Sequence, residues 1–197
     1  MSSATAEVPG YVPGTWRIDP ARSTLEFTVT HLGLGAVRGR IGSFEGEIVV
    51  GHDPAGCRVN ATIDLRTVDT HSQGRDQAIR SGKLLRVAEY PTATYRSTDM
   101  RPDPAGTGTF VLGGELTLMG TTLPVPLTLR FGGAVTDTAG RSRPCCTARG
   151  VFARRDFGLR YRVRPAFLDG AIGRAVTVEA RVVGAPTPIG DEQRYVT

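Results

Sequence analysis

The side chains able to do chemistry are few, and they are scattered. The chain has 197 residues and contains three histidines (His31, His52, His71) and three cysteines (Cys57, Cys145, Cys146). The histidines lack metal-ligand spacing, and there is no C-x-x-C. An odd cysteine count with two adjacent thiols argues against a disulfide framework. No G-x-S-x-G elbow, P-loop or helix-opening G-x-G-x-x-G occurs, so no catalytic or metal-ligating residue is expected. His31 is the one candidate for acid–base work, because it ends the face formed by Leu25, Phe27, Val29 and His31 and its ring offers one donor and one acceptor. It reads equally as a satisfied structural histidine before Gly33. Arg38 could grip an anionic group through two parallel hydrogen bonds, or it could be a solvent-facing strand arginine. Arg75-Asp76 reads as a structural clasp, with the carboxylate capping a short helix and the guanidinium pairing nearby. Arg154-Arg155-Asp156-Phe157-Gly158 reads as a basic exposed turn, with Phe157 placed to close one barrel end.

The elements that must position these groups are strands. Apolar residues recur with a period of two over Thr24–His31, Val37–Val50, Arg58–Leu65, Ala93–Met100, Thr109–Leu118, Thr122–Phe131, Cys146–Ala153 and Ala175–Val183. Such alternation marks half-buried strands. Glycines inside Val37–Val50 suggest bends where a long sheet curls. Pro124 and Pro126 argue for an edge or a strand start at Val125. The repeated D-P-A-G at Asp53–Gly56 and Asp103–Gly106 reads as two similar turns. Only Asp69–Val87 breaks the β pattern. It is expected to hold a turn or two of helix at Arg75–Arg80 and to plug or gate one end of a barrel. The expected fold is therefore all-β: about eight strands forming a sandwich or a barrel over residues 15–185, with a short helical segment near one end. A flexible arm (1–14) and a tail (186–197) flank it. The inward register would bring Phe27, Val29, Ile63, Tyr95, Phe110, Leu112, Leu127, Leu129 and Phe152 to the interior. They would there either pack on one another or line a cavity.

Composition narrows the class further. Hydrophobic residues make up 40% of the chain, and no apolar run approaches the roughly 18 residues of a membrane span. The N-terminus has no basic region followed by an apolar one, so a soluble cytoplasmic protein is expected. The formal charge is +5, carried by arginine with Lys83 as the only lysine. A nucleic-acid-binding barrel would interleave exposed aromatics with these arginines. Here the aromatics fall on the inward register, so no nucleic-acid partner is expected.

Several positions together resemble the YceI-like, polyisoprenoid-binding, lipocalin-like family. They are Trp16-x-Ile18-Asp19-Pro20, Ser23-x-Leu25-x-Phe27-x-Val29-x-His31-Leu32-Gly33, Val37-x-Gly39 and Phe44-x-Gly46. Arg75-Asp76, Tyr90-Pro91, Ser97-Thr98, Gly114-x-Leu116-Thr117-Leu118-x-Gly120 and Arg155-Asp156-Phe157-Gly158-Leu159 follow. The resemblance spans roughly Thr15 to Val183. It implies an elongated antiparallel eight-stranded lipocalin-like barrel that binds, stores or transports a long amphipathic lipid, such as a polyisoprenoid or an isoprenoid quinone, without catalysis. No other cofactor is implied. His31 would then meet a quinone oxygen or a head group, and Arg38 an anionic head group; a head-group role for Arg75 is the lesser reading. Transient membrane contact and a homodimer are the further partners considered. The alternative is an enzyme acting on a hydrophobic small molecule with His31 as acid or base.

Overall fold

The computed structural model describes residues 8–31, 35–106, 108–133, 135–160 and 172–187. The first strands are β1 (Gly14–Ile18), β2 (Thr24–His31), β3 (Gly35–Ile41), β4 (Phe44–Val50), β5 (Arg58–Asp64) and β6 (Val68–Asp69). Helix α1 (Gln73–Arg80) follows. Then come β7 (Thr92–Pro102), β8 (Thr109–Leu118), β9 (Thr121–Pro124), β10 (Leu127–Phe131), β11 (Val135–Thr136), β12 (Ser142–Arg143), β13 (Cys145–Ala153) and β14 (Ile172–Pro186).

The sheet closes on itself. Its order runs β1-β4-β5-β7-β8-β10-β13-β14, and β14 pairs back onto β1. All these pairings are antiparallel. The long β14 also carries β2 along the same edge, with Thr177 opposite Thr28 and Gly184 opposite Ile18. β1 and β2 therefore form one interrupted strand. Ser23 bridges the gap: its hydroxyl accepts from the Val183 amide at 3.0 Å. β3 and β4 form another interrupted line, because Gly42 and Ser43 turn aside to donate to Thr67. β5 and β6 are related in the same way. The result is a closed eight-stranded antiparallel barrel with one short helix, the barrel rather than the sandwich of the two arrangements the alternation allows.

Three expectations change in detail. Val37–Val50 is two strands that meet at Gly42, not one. Thr122–Phe131 is also split, into β9 and β10. Pro124 and Pro126 cannot donate ladder bonds, and Val125 between them donates instead to the Gly114 carbonyl at 2.8 Å. Third, part of the arm is tied down. Tyr11 sits edge-on to Phe131 at 4.9 Å, and Phe110 lies 5.7 Å from Phe131. The Tyr11 hydroxyl lies 3.3 Å from the Cys57 thiol. Residues 1–7 and 188–197, which hold the rest of the arm and most of the tail, lie outside the described residues.

A small hairpin, β11–β12, clamps the outside of the barrel near the β1–β2 interruption. Asp137 accepts from the amides of Ala139 and Arg141, both at 2.9 Å, and pairs with the Arg141 guanidinium at 3.0 Å. Arg143 reaches both Asp19 (3.1 Å) and Asp137 (3.5 Å). The Arg141 amide, joined by the other donors, holds the Asp137 carboxyl below the ordinary carboxylate value. A folded-state value below the unfolded one contributes stability above about pH 4, and that stability is lost as pH falls through the folded value. Urea titrations at neutral and strongly acidic pH should therefore show a smaller acid-induced loss in Asp137→Asn than in the native chain. Equal losses in both proteins would refute this role.

Candidate ligand cavity

The barrel is hollow. An apolar cavity of about 650 Å³ runs inside it, within the 300–1,000 Å³ range of ordinary ligand sites. Its wall is built by the inward register. On β14, Val176, Val178 and Val182 line it, a rise of roughly 20 Å at about 3.3 Å per residue. The accessibility of the wall is the telling feature. Phe27, Val29, Ile63, Leu127 and Phe152 point inward and line the cavity, yet each is only half-buried. In a barrel filled by its own side chains these residues would be fully covered.

Two inward glycines shape the wall. A Cβ on Gly39 would stand 2.4 Å from the Phe27 ring, so the missing side chain lets Phe27 lie across β3. Gly114 leaves the same room for Tyr95. The Tyr95 hydroxyl sits 3.3 Å from the Leu112 carbonyl and 3.2 Å from the Val125 carbonyl. Burial, with the nearby charge of Asp99, pushes its phenol well above the ordinary tyrosine value. Tyr95 is therefore a neutral, internally bonded wall residue. Cys146 also lines the cavity, and burial, with the neighbouring Cys145, pushes its thiol up to about 12. Such a thiol is protonated and unreactive at neutral pH.

The two ends differ. Val8, Tyr11, Phe110 and Phe131 close the end from which β1 rises. At the other end the segment after β6 folds over, and Gly74, Arg75, Ala78, Ile79, Leu84 and Leu85 complete the wall. Thr70 holds this cover in place. Its amide and hydroxyl both donate to the Asp76 carboxylate. Arg75 donates to the Thr70 hydroxyl at 2.8 Å and to its carbonyl at 2.7 Å. The Arg75-Asp76 clasp is thus real, but its partner is Thr70 rather than a helix end. His71 (φ 60°) and Arg86 (φ 52°) flank the cover in left-handed conformations that non-glycine residues seldom adopt. Gly74 and Arg75 are exposed as well as cavity-lining, which places the mouth beside α1.

The residues singled out from sequence are distributed as follows. Phe27, Val29, Ile63, Tyr95, Leu112, Leu127, Leu129 and Phe152 line the cavity together. Phe110 does not, because it belongs to the aromatic cluster that seals the closed end. Phe157 is 2% exposed and packs edge-on behind Phe152 at 5.1 Å. Arg38 is exposed on the outer wall, since its neighbours Val37 and Gly39 take the inward positions on β3. The backbone of His31 ends β2 opposite Gly35, and its side chain lies outside the described residues. Arg154, read from sequence as part of an exposed basic loop, is 5% exposed. Its guanidinium donates to the carbonyls of Gly173 (2.9 Å) and Leu159 (2.7 Å) and pins the turn after β13 against β14. The lining residues Val176, Val178 and Cys146 were not singled out from sequence, although the alternation of Ala175–Val183 carries the signal for the first two.

Comparison with known proteins agrees with this architecture. The YceI-like domain matches residues 16–184. A UPF0312 protein of Shewanella baltica is 33% identical over 147 residues, which cover 74% of this chain and 76% of that protein. Among solved structures, BcnA of Burkholderia cenocepacia superposes with a TM-score of 0.69 at 18% identity, covering 85% of this chain and 99% of BcnA. A polyisoprenoid binding domain from Saccharophagus degradans, implicated in plant cell wall breakdown, superposes at 0.61 with 19% identity, covering 87% and 98% of the two chains. With the family match spanning nearly the whole barrel, this chain belongs to the YceI-like family.

Proposed function

We propose that the protein binds a long apolar chain with a small polar head, of the polyisoprenoid or isoprenoid-quinone kind, and stores or carries it without chemical change. One observation carries this reading: inward aliphatic and aromatic side chains remain half-buried around an apolar cavity of about 650 Å³. Each methylene transferred from water into such a wall contributes about 0.8 kcal/mol. A chain of modest length therefore binds tightly without directional contacts along its body. The closed end holds the tail and the α1 end holds the head, because the exposed guanidinium of Arg75 stands at the mouth. The polyisoprenoid-binding description of the Saccharophagus domain is in keeping with this ligand class. The three cysteines are free, which suits a reducing compartment such as the cytoplasm. No helix among the described residues is long and apolar enough to cross a membrane.

Native mass spectrometry, with organic extraction of the purified protein, tests the reading. The expected result is a co-purifying or readily reloaded lipid with a long apolar chain at one per barrel. A barrel that emerges empty and takes up neither prenyl phosphates nor quinones refutes it.

A further inference from the structure

Cations gather around the mouth of the barrel. Five cations stand around the α1 end: Arg75 at the mouth, Lys83 in the turn after α1, Arg155 and Arg160 beside the turn after β13, and Arg174 near the start of β14. All five are exposed. No carboxylate among the described residues lies within ion-pair distance of any of them. Other exposed arginines without a carboxylate partner, such as Arg17, Arg96 and Arg149, are spread along the outer wall, whereas these five surround the cavity mouth. A second feature falls on the same side. Val151, at 55%, is the large hydrophobic residue most open to solvent among the described residues. It lies on the outer face of β13, two positions before the strand ends at Ala153.

We propose that the α1 end is a docking face for an anionic bilayer surface, which sets the cavity mouth against the membrane. This rests on the lipid-binding reading above. Unpaired cations around an opening, with an apolar side chain at their margin, are the elements of peripheral membrane attachment. A nucleic acid would require exposed aromatics for stacking, but Phe152 and Phe157 beside these arginines turn inward. The arrangement also answers a kinetic need. An apolar chain that leaves a bilayer through water exposes every methylene, whereas a mouth held at the surface spares most of that exposure.

Flotation of the full chain with vesicles tests the proposal, using pure phosphatidylcholine against equal parts phosphatidylcholine and phosphatidylglycerol. The native chain is expected to bind the anionic vesicles, to bind the neutral ones at least tenfold more weakly, and to dissociate as salt rises. The double reversal Lys83→Glu/Arg155→Glu should weaken anionic binding more than tenfold. Arg17→Glu/Arg96→Glu makes the same charge change on other parts of the wall and should stay within about twofold of native, since placed rather than total charge is at issue. No vesicle binding by the native chain, or equal loss in both double variants, overturns the proposal. Loading of each protein from detergent solution, read by native mass spectrometry, separates the two readings. Loading without vesicle binding defeats the docking face alone. Vesicle binding without loading defeats the lipid cavity.

Discussion

Replacing Ala61 with tryptophan should abolish lipid binding while leaving the barrel folded. Ala61 is the midpoint of β5, lies opposite Tyr95 on β7, and lines the cavity without being fully buried. An indole from this position projects into the space a bound chain would occupy. If it displaces even three methylenes, the loss is about 2.4 kcal/mol, or roughly fiftyfold in affinity. Folding should not suffer, because the new ring fills a void. Cavities made by truncation cost about 24 cal/mol per Å³, so partial filling of a space this large returns dispersion contacts to the wall. The lipid-free variant should unfold at the same urea concentration as the lipid-free native chain or at a higher one. Asn60→Trp is the control: it places the same ring on the adjacent, outward-facing position and should leave binding unchanged. Titration with a prenyl ligand, together with urea denaturation, reads both quantities. Native-like binding by Ala61→Trp would mean that the ligand does not occupy this cavity.

Gly114→Val should be strongly destabilising, costing about 3 kcal/mol or more. A Cβ at Gly114 would stand 2.4 Å from the Tyr95 hydroxyl oxygen, 2.5 Å from its ring and 2.9 Å from the Arg96 carbonyl. The backbone contact cannot be relieved by rotating a side chain, and moving Tyr95 strips its hydroxyl from the carbonyls of Leu112 and Val125. The Gly114 carbonyl itself receives the Val125 amide. One substitution thus strikes the knot that joins β7, β8 and the Pro124–Pro126 kink. A smaller neighbour should restore part of the loss: Gly114→Ala/Tyr95→Leu should be more stable than the sum of the two single changes. Such coupling is expected of residues in contact. Strict additivity in urea denaturation would show that the Tyr95 ring is not what Gly114 accommodates.

Much of this was legible from local pattern, and the reasons are specific. Strand alternation is a property of the backbone, so Leu25-Phe27-Val29 and Leu127-Leu129 announce their shared face before any partner strand is known. Turn chemistry is equally local, and Asp53 and Asp103 each begin a turn with a side-chain bond to a nearby amide. The strand breaks at Gly42 and Val125 were visible as glycine and proline, but their geometry was not. Each is settled by a partner far along the chain: Thr67 for Gly42 and Gly114 for Val125. Arg154 shows the same limit. Its neighbours suggest an exposed basic turn, and only the start of β14 brings the Gly173 carbonyl that draws it inside.

The sequence by itself determined which residues face inward, that the chain is all-β, and where the helical cover interrupts the strands. The tertiary structure alone decided that the sheet closes into a hollow barrel, that one end is sealed by Tyr11, Phe110 and Phe131, and that exposed cations surround the mouth at the other. The physical reason is range. Facing is set by consecutive peptide units, whereas a cavity depends on the distance between walls such as Phe27 and Leu127, and no local spacing encodes that distance.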